Sequence, residues 1–382
     1  MWKIPLFDLN YGQEEQDAVI DVLNSKWLTA GPKTKAFESE FGKYLGENIH
    51  CCAVSNGTAA LHIALLCAGV GPGDEVIIPG LTFVADLNTV IFTGATPVLA
   101  DIKSFDDWNI DPLSVESRIT PATKAVMAMH YAGWPCDMEE LSSLCKKNNL
   151  FLIEDAAHAP GASYNGRKCG TMGDIGCFSF FSNKNLSTGE GGMITAKNED
   201  HISKAMLLRS HGMTSMTIDR HEGRTISYDV VMPGLNYRID EIKSALGLVQ
   251  LKKLDQANEK RIFLIKHYID NLKHIKEIEI PWKHFPSHKK TSGHIFPVLL
   301  PQGTNRIHFI DYLKQKGIQT SIHYPDMNRF SYYKDILTHP LAISNAVSER
   351  MVTLPLYPDL SLENLQMITQ TIKDFFNLNI GG

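Results

Sequence analysis

A lysine stands alone in Ser179-Phe180-Phe181-Ser182-Asn183-Lys184-Asn185-Leu186-Ser187-Thr188-Gly189-Glu190-Gly191-Gly192, between an apolar run and a glycine-rich turn. An amine held near a protein interior loses its proton more readily than one in water, and the neutral amine attacks a carbonyl carbon. A solvated loop lysine fits the same stretch, so context has to decide. Upstream, Phe151-Leu152-Ile153-Glu154-Asp155-Ala156-Ala157-His158 ends an apolar run in two carboxylates and sets a histidine three residues beyond. An acid at such an edge can meet a cationic ring nitrogen, a metal or a sugar hydroxyl, and it can equally cap a loop. Nearer the start, Ser55-Asn56-Gly57-Thr58-Ala59-Ala60-Leu61 is a turn entering an apolar helix. Free backbone N–H groups and the helix dipole favour an anion there. The same residues also read as an ordinary capped helix, with Ser55 or Thr58 as N-cap.

Together the three segments offer an anion seat, an acid and a nucleophilic amine, in that chain order. Pyridoxal 5′-phosphate needs those three things: a phosphate cradle, a partner for its pyridine nitrogen, and a lysine that bonds its aldehyde. A carboxylate beside the ring nitrogen keeps it protonated, and the protonated ring is the electron sink. The chain has no GxxxxGK[ST] and no GxGxxG after its first strand, which weighs against ATP and dinucleotides. No CxxC pair occurs among the seven cysteines, and neither His284…His288 nor His201…His211 has a metal-site spacing, so no metal is expected.

The elements that must position these residues alternate. Apolar or β-branched runs fall at 76–78, 97–100, 125–129, 151–153, 177–181 and 192–195, with helical patterns such as AALHIALLCAGV and DMEELSSLCKKNN between several of them. Strands alternating with helices predict an α/β fold with a mostly parallel central sheet, which binds ligands beyond the carboxyl ends of its strands. Two helices are expected first, GQEEQDAVIDVLNS and GPKTKAFESEFGKYL, broken at Gly31-Pro32. A long helix from about residue 240 leads into strand-like HIFPVLL, helix-like NRIHFIDYLKQKG, strand-like IQTSIHY and a last helix, LENLQMITQTIKDFFN. The expected division is a large cofactor-binding α/β domain over 1–255 and a small α+β domain over 256–382, with the first 30 residues or so packing toward the small one.

With 37 Lys+Arg against 42 Asp+Glu, the net charge of −5 gives no drive toward nucleic acid or anionic membrane. Hydrophobic residues at 43% and charged ones at 21% argue against disorder. The odd cysteine count reads as reduced thiols, MWKIPLFDLNYGQEE lacks the features of a signal peptide, and no window of 18 residues is uninterruptedly apolar. A cytoplasmic protein is expected.

EDAAHAPGA, FSFFSNKNLSTGEGG, SNGTAAL, RSHGM and GLNYRIDE resemble the DegT/DnrJ/EryC1/StrS family of sugar aminotransferases, and the likeness runs from WLTAGP near residue 27 to RMVTLPLYPDLS near 350. The resemblance implies the aspartate aminotransferase-like fold, called fold type I, with pyridoxal 5′-phosphate as cofactor. It makes Lys184 the cofactor-linked lysine and Asp155 the partner of the pyridine nitrogen. Phe83 matches the ring that stacks on the cofactor, Gly57, Thr58 and Ser179 the phosphate seat, and His158 a position near the ring oxygen. Asn236, in GLNYRID, matches an asparagine that reaches the phosphate of the neighbouring subunit, which implies a homodimer. His323-Tyr324-Pro325 resembles the family's HYxP segment near the substrate entrance, although Asp326-Met327-Asn328 departs from the usual continuation. The implied reaction moves an amino group from an amino acid, L-glutamate, to a keto group of a nucleotide-linked deoxysugar. His158 and the STGEGG turn look more like members that aminate C4 than those that aminate C3. A related branch dehydrates sugars with a histidine in place of the lysine, and non-catalytic regulatory homologues are conceivable. Lys184 speaks against the first, and Lys184, Asp155 and Ser179 together against the second.

Overall fold

The computed structural model describes residues 2–215, 226–276, 278–334, 336–337 and 341–379. Helices Gln13–Ser25 (α1) and Pro32–Leu45 (α2) come first, and Pro32 takes a first-turn position where its missing N–H costs nothing. The orphan N–H groups of that turn, from Gly31, Lys33 and Thr34, all donate to the carboxylate of Glu241 at 2.8 Å. Then follow His50–Val54 (β1), Gly57–Cys67 (α3), Glu75–Pro79 (β2), Val84–Phe92 (α4), Thr96–Ala100 (β3), Pro112–Arg118 (α5), Thr123–Met129 (β4), Met138–Asn148 (α6) and Phe151–Asp155 (β5). The short strands Ser163–Tyr164 (β6) and Arg167–Lys168 (β7) precede Ile175–Ser179 (β8), Gly192–Ala196 (β9) and Glu199–Arg209 (α7). The long helix Glu241–Leu272 (α8) leads to Lys289–Lys290 (β10), Phe296–Leu299 (β11), Arg306–Gln315 (α9), Ala342–Arg350 (α10), Met351–Leu354 (β12) and Leu362–Asn379 (α11).

Seven strands form the central sheet in the order β1-β9-β8-β5-β4-β2-β3. β9 pairs antiparallel with both neighbours, and every other pairing is parallel. Both faces are covered, which is why these strands read as continuous apolar runs rather than alternating ones. Val76 and Ile78 of β2 face Ile63, Leu65 and Val90, while Ile77 between them faces the opposite core of Phe37, Phe41 and Leu141. A further apolar core gathers Tyr268 and Leu272 of α8, Phe296 and Val298 of β11, Phe309, Ile368 and Phe375, together with Ile4 from the N-terminus.

The expected α/β architecture is present, and three of the local differences are instructive. His50–Val54 is a strand that the alternation did not reveal, because the run is short and carries a histidine and two cysteines. IQTSIHY is not a strand: Ile318 bridges only Ile4 and Ser321 only Thr353, so the segment laces the N-terminus to β12 without extending a ladder. The cap of α3 is neither Ser55 nor Thr58 but Asn56, whose side chain accepts from Ala59 N–H at 2.8 Å. Among the described residues no helix is long and apolar enough to cross a membrane.

Candidate active site

One end of the sheet collects the singled-out residues. The parallel strands β1, β2, β5 and β8 run out at this end, placing Gly57 and Thr58 after β1, Phe83 after β2, Asp155 as the last residue of β5 and Ser179 as the last of β8. β9 runs the other way, so the connection holding Lys184 leaves β8 and re-enters the sheet at the same end. A cavity of about 440 Å³ there is lined by Gly57, Thr58, Phe83, Asp155, His158, Ser179 and Lys184, every expected residue save Asn236. Asn236 is exposed, on the segment bridging Ser210, and does not line the cavity. The cavity is also lined by Asn183, Glu190, His323 and Tyr324.

Glu154 and Asp155 are both buried but serve opposite sides of β5, since neighbouring strand residues alternate. Glu154 accepts backbone N–H bonds from Gly170, Met172 and Gly173 at 2.6–2.7 Å. It also meets His130 Nε2 at 2.9 Å. Because Cys136 N–H donates to His130 Nδ1, Nε2 is the donating nitrogen. Burial pushes the Glu154 carboxyl up, but the His130 bond and the N–H donors outweigh it and hold it below the ordinary value. Asp155 has one backbone donor, Ala157 N–H at 2.9 Å, and there burial prevails: its carboxyl is raised despite that bond and the charge of Lys184.

Lys184 is half-buried. Burial pulls its ammonium down to about 8, with the charge of Asp155 opposing. His158 is fully buried and held well below its ordinary value, first by burial and then by Lys184, so it is neutral at physiological pH. Its Nε2 meets Tyr324 OH at 2.9 Å, and its ring lies 4.2 Å from that of His294, which is fixed through Asn185 Oδ1 at 2.9 Å. His323, pulled down to about 4 by burial, bonds Thr353 Oγ1 at 3.0 Å. The cavity thus sets the buried Asp155 carboxylate and the Lys184 amine beside neutral imidazoles, with Glu190 also in its lining.

These residues suit pyridoxal phosphate. A Cβ on Gly57 would stand 2.8 Å from Ser179 Cβ, so only glycine leaves room between the start of α3 and the end of β8. That close approach sets the helix N–H groups of α3 and the Ser179 hydroxyl side by side at the cavity wall, a donor set that suits a phosphate. Two lining residues carry buried polar atoms with no partner, His158 Nδ1 and Asn183 Oδ1, as a site awaiting a polar ring would. Phe83, half-exposed at 49%, presents its ring at the mouth, 5.4 Å from that of Tyr324.

Sequence reasoning noted His323-Tyr324 without giving it contact with the site, drew on Glu190 only as part of the STGEGG turn, and passed over Asn183 and Asp86. Asn183 and Glu190 flank the lysine in its own loop, so proximity was their available signal. Tyr324 arrives from the far part of the chain, and only the HYP string marked it. Trp134 and Tyr131 are core residues, both stacked on the buried Trp282.

A doubly covered sheet with one reversed strand, and a lysine and an aspartate converging beyond its carboxyl ends, define a fold type I pyridoxal-phosphate enzyme. The chain matches the DegT/DnrJ/EryC1/StrS aminotransferase family over residues 10–373 and belongs to it. It is 37% identical over 371 residues to the spore coat polysaccharide biosynthesis protein SpsC of Bacillus subtilis, covering 95% of this chain and 94% of that one. Among solved structures it resembles the aminotransferase TlmJ of Streptoalloteichus hindustanus, with a TM-score of 0.91 and 29% identity over 99% of each chain. It also resembles Helicobacter pylori PseC, an aminotransferase involved in the biosynthesis of pseudoaminic acid, with a TM-score of 0.89 and 31% identity over 99% of each chain. The protein is a sugar aminotransferase whose cofactor is pyridoxal 5′-phosphate.

Proposed function

We propose that the enzyme transfers the amino group of L-glutamate to a keto group of a nucleotide-linked deoxysugar, at C4 in preference to C3. The observation that carries this is the convergence of Lys184 and Asp155 in one cavity beyond the strand ends. Pyridoxal phosphate, when bound, supplies an electron sink for the carbon that loses its proton. Gly57, Thr58 and Ser179 would hold its phosphate, Asp155 would face its ring nitrogen, Phe83 would cover its ring, and His158 would lie beside its ring oxygen. The Lys184 amine, close to half-neutral near pH 8, can take a proton from the donor α-carbon and return one to the sugar carbon in the second half of the cycle. Neutral His158 and His323 add no competing charge beside it.

The same reading places a homodimer in the cytoplasm, with Asn236 reaching the neighbouring subunit's phosphate seat. Exposed Asn236 supports this, as do Phe83, Phe181, Tyr228, Val230 and Val231, all exposed apolar or aromatic side chains. It also divides the chain near residue 255, within α8, whose later residues enter the core built on β11 and β12. The preference for C4 is supported by His158 and Glu190 at the cavity lining. The test is to offer matched 3-keto and 4-keto nucleotide sugars with glutamate and to locate the new nitrogen by NMR. Amination at C4 is expected. Amination at C3 alone overturns the regiochemistry, and no amination of either overturns the substrate class.

A further inference from the structure

Asp86 lies in the first turn of α4, in the otherwise uncharged stretch Thr82-Phe83-Val84-Ala85-Asp86-Leu87-Asn88-Thr89-Val90. It is completely enclosed, with 0% of its surface exposed. Its Oδ2 accepts from Thr82 Oγ1 at 2.5 Å, while Oδ1 is buried with no ordinary donor in reach. The group its side chain does meet is the carboxyl of Asp155.

Two carboxylates in contact in a dry site cannot both be ionised, so the pair retains one proton. Its location follows from the donors on each side. Asp155 receives the Ala157 N–H and faces Lys184, both of which favour its anion. Asp86 has a single hydroxyl donor. An ionised Asp86 would leave Oδ1 a buried, unsatisfied anionic acceptor, whereas a protonated one turns that atom into a donor aimed at Asp155.

We propose that Asp86 is a neutral carboxylic acid whose Oδ1–H donates to Asp155, making it a positioning residue for the carboxylate that faces the cofactor's ring nitrogen. The second half of that statement rests on the role given to Asp155 above. Burial, and next the neighbouring charge of Asp155, push the Asp86 carboxyl well up, in keeping with the geometry. The other titratable groups near the pair add no further negative charge: the Cys177 thiol and the Tyr324 hydroxyl are both pushed up, first by burial, and stay neutral. The pair therefore presents one negative charge to the ring, held in one orientation by donors on both sides.

The substitutions that test this are Asp86→Asn, which keeps the shape and a donor, and Asp86→Ala, which removes the donor. In infrared spectra of the cofactor-free protein at neutral pH, wild type should show a buried carboxylic-acid C=O stretch that Asp86→Asn abolishes. In the loaded protein, Asp86→Asn should hold cofactor within about twofold of wild type with an unmoved spectral pH titration, and Asp86→Ala should weaken binding about tenfold. Absence of the acid band in wild type, or a cofactor titration shifted by Asp86→Asn, would overturn the proposal. The infrared comparison needs only the isosteric variant, so a misfolded Asp86→Ala leaves the decision intact. If the acid band is present but Asp155→Asn leaves cofactor binding and its spectrum untouched, the role of Asp155 fails while the proton on Asp86 stands.

Discussion

Lys184 should titrate unlike a surface lysine, and the difference is large enough to measure directly. Burial brings its ammonium from 10.5 to about 8. At about pH 7.5 roughly a quarter of the amine is then neutral, against about one part in a thousand at the ordinary value, a gain of roughly 240-fold in nucleophile. Asp155 is the charge that opposes the shift, so Asp155→Asn should send Lys184 lower still and flatten its reactivity above pH 7. Cofactor-free protein can be treated with trace dinitrofluorobenzene across the pH range, and the Lys184 peptide quantified by mass spectrometry. Lys43, whose side chain is 69% exposed, serves as the reference. A midpoint at the ordinary lysine value, or one that rises in Asp155→Asn, would refute the reasoning. Stability follows the same shift. Between 8 and 10.5 the unfolded chain binds more protons than the folded one, so cofactor-free protein gains stability as pH rises through that window. The gain is at most about 3 kcal/mol, and Lys184→Met should remove it in denaturant titrations at several pH values.

Gly57→Val should abolish cofactor retention after gel filtration, since its Cβ would meet Ser179 Cβ at 2.8 Å with two further methyl groups to place. Near-wild-type absorbance in that variant would show that the phosphate sits elsewhere. Tyr324→Phe removes the hydroxyl that meets His158 Nε2 at 2.9 Å and should lower turnover by about three- to tenfold with little loss of melting temperature. On the proposed crossing role, Asn236→Ala should weaken cofactor binding while leaving the cavity of each chain intact, and equal cofactor affinity in variant and wild type would contradict that role.

Lys184, Asp155 and Ser179 were legible because each closes or follows an apolar run, and in a parallel sheet such ends meet at one edge. The cap of α3 was misplaced by one residue from Ser55, as a cap is chosen by backbone direction as much as by side-chain type. Phe83 and Asn236 carry no local pattern of their own and were reachable only through family resemblance. Asp86 stayed hidden for a different reason. An acid in an apolar helix looks like the exposed side of an amphipathic stripe until the sheet behind it shows which acid it touches. Tyr324 belongs to a segment joined to the sheet domain only by tertiary packing, so no spacing rule connects it with His158.

With Asp155 in the role proposed above, its division of labour with Glu154 makes cofactor content a gauge of strand registry. A one-residue slip of β5 would turn Asp155 toward the 170–173 loop and Glu154 toward the cavity, so one error would strip the loop of its anchor and give the ring the wrong acid at the wrong depth. Chains refolded with β5 out of place would then stay colourless while keeping their helices. The ratio of visible to ultraviolet absorbance would accordingly sort correctly threaded molecules from near-misses that circular dichroism counts as folded.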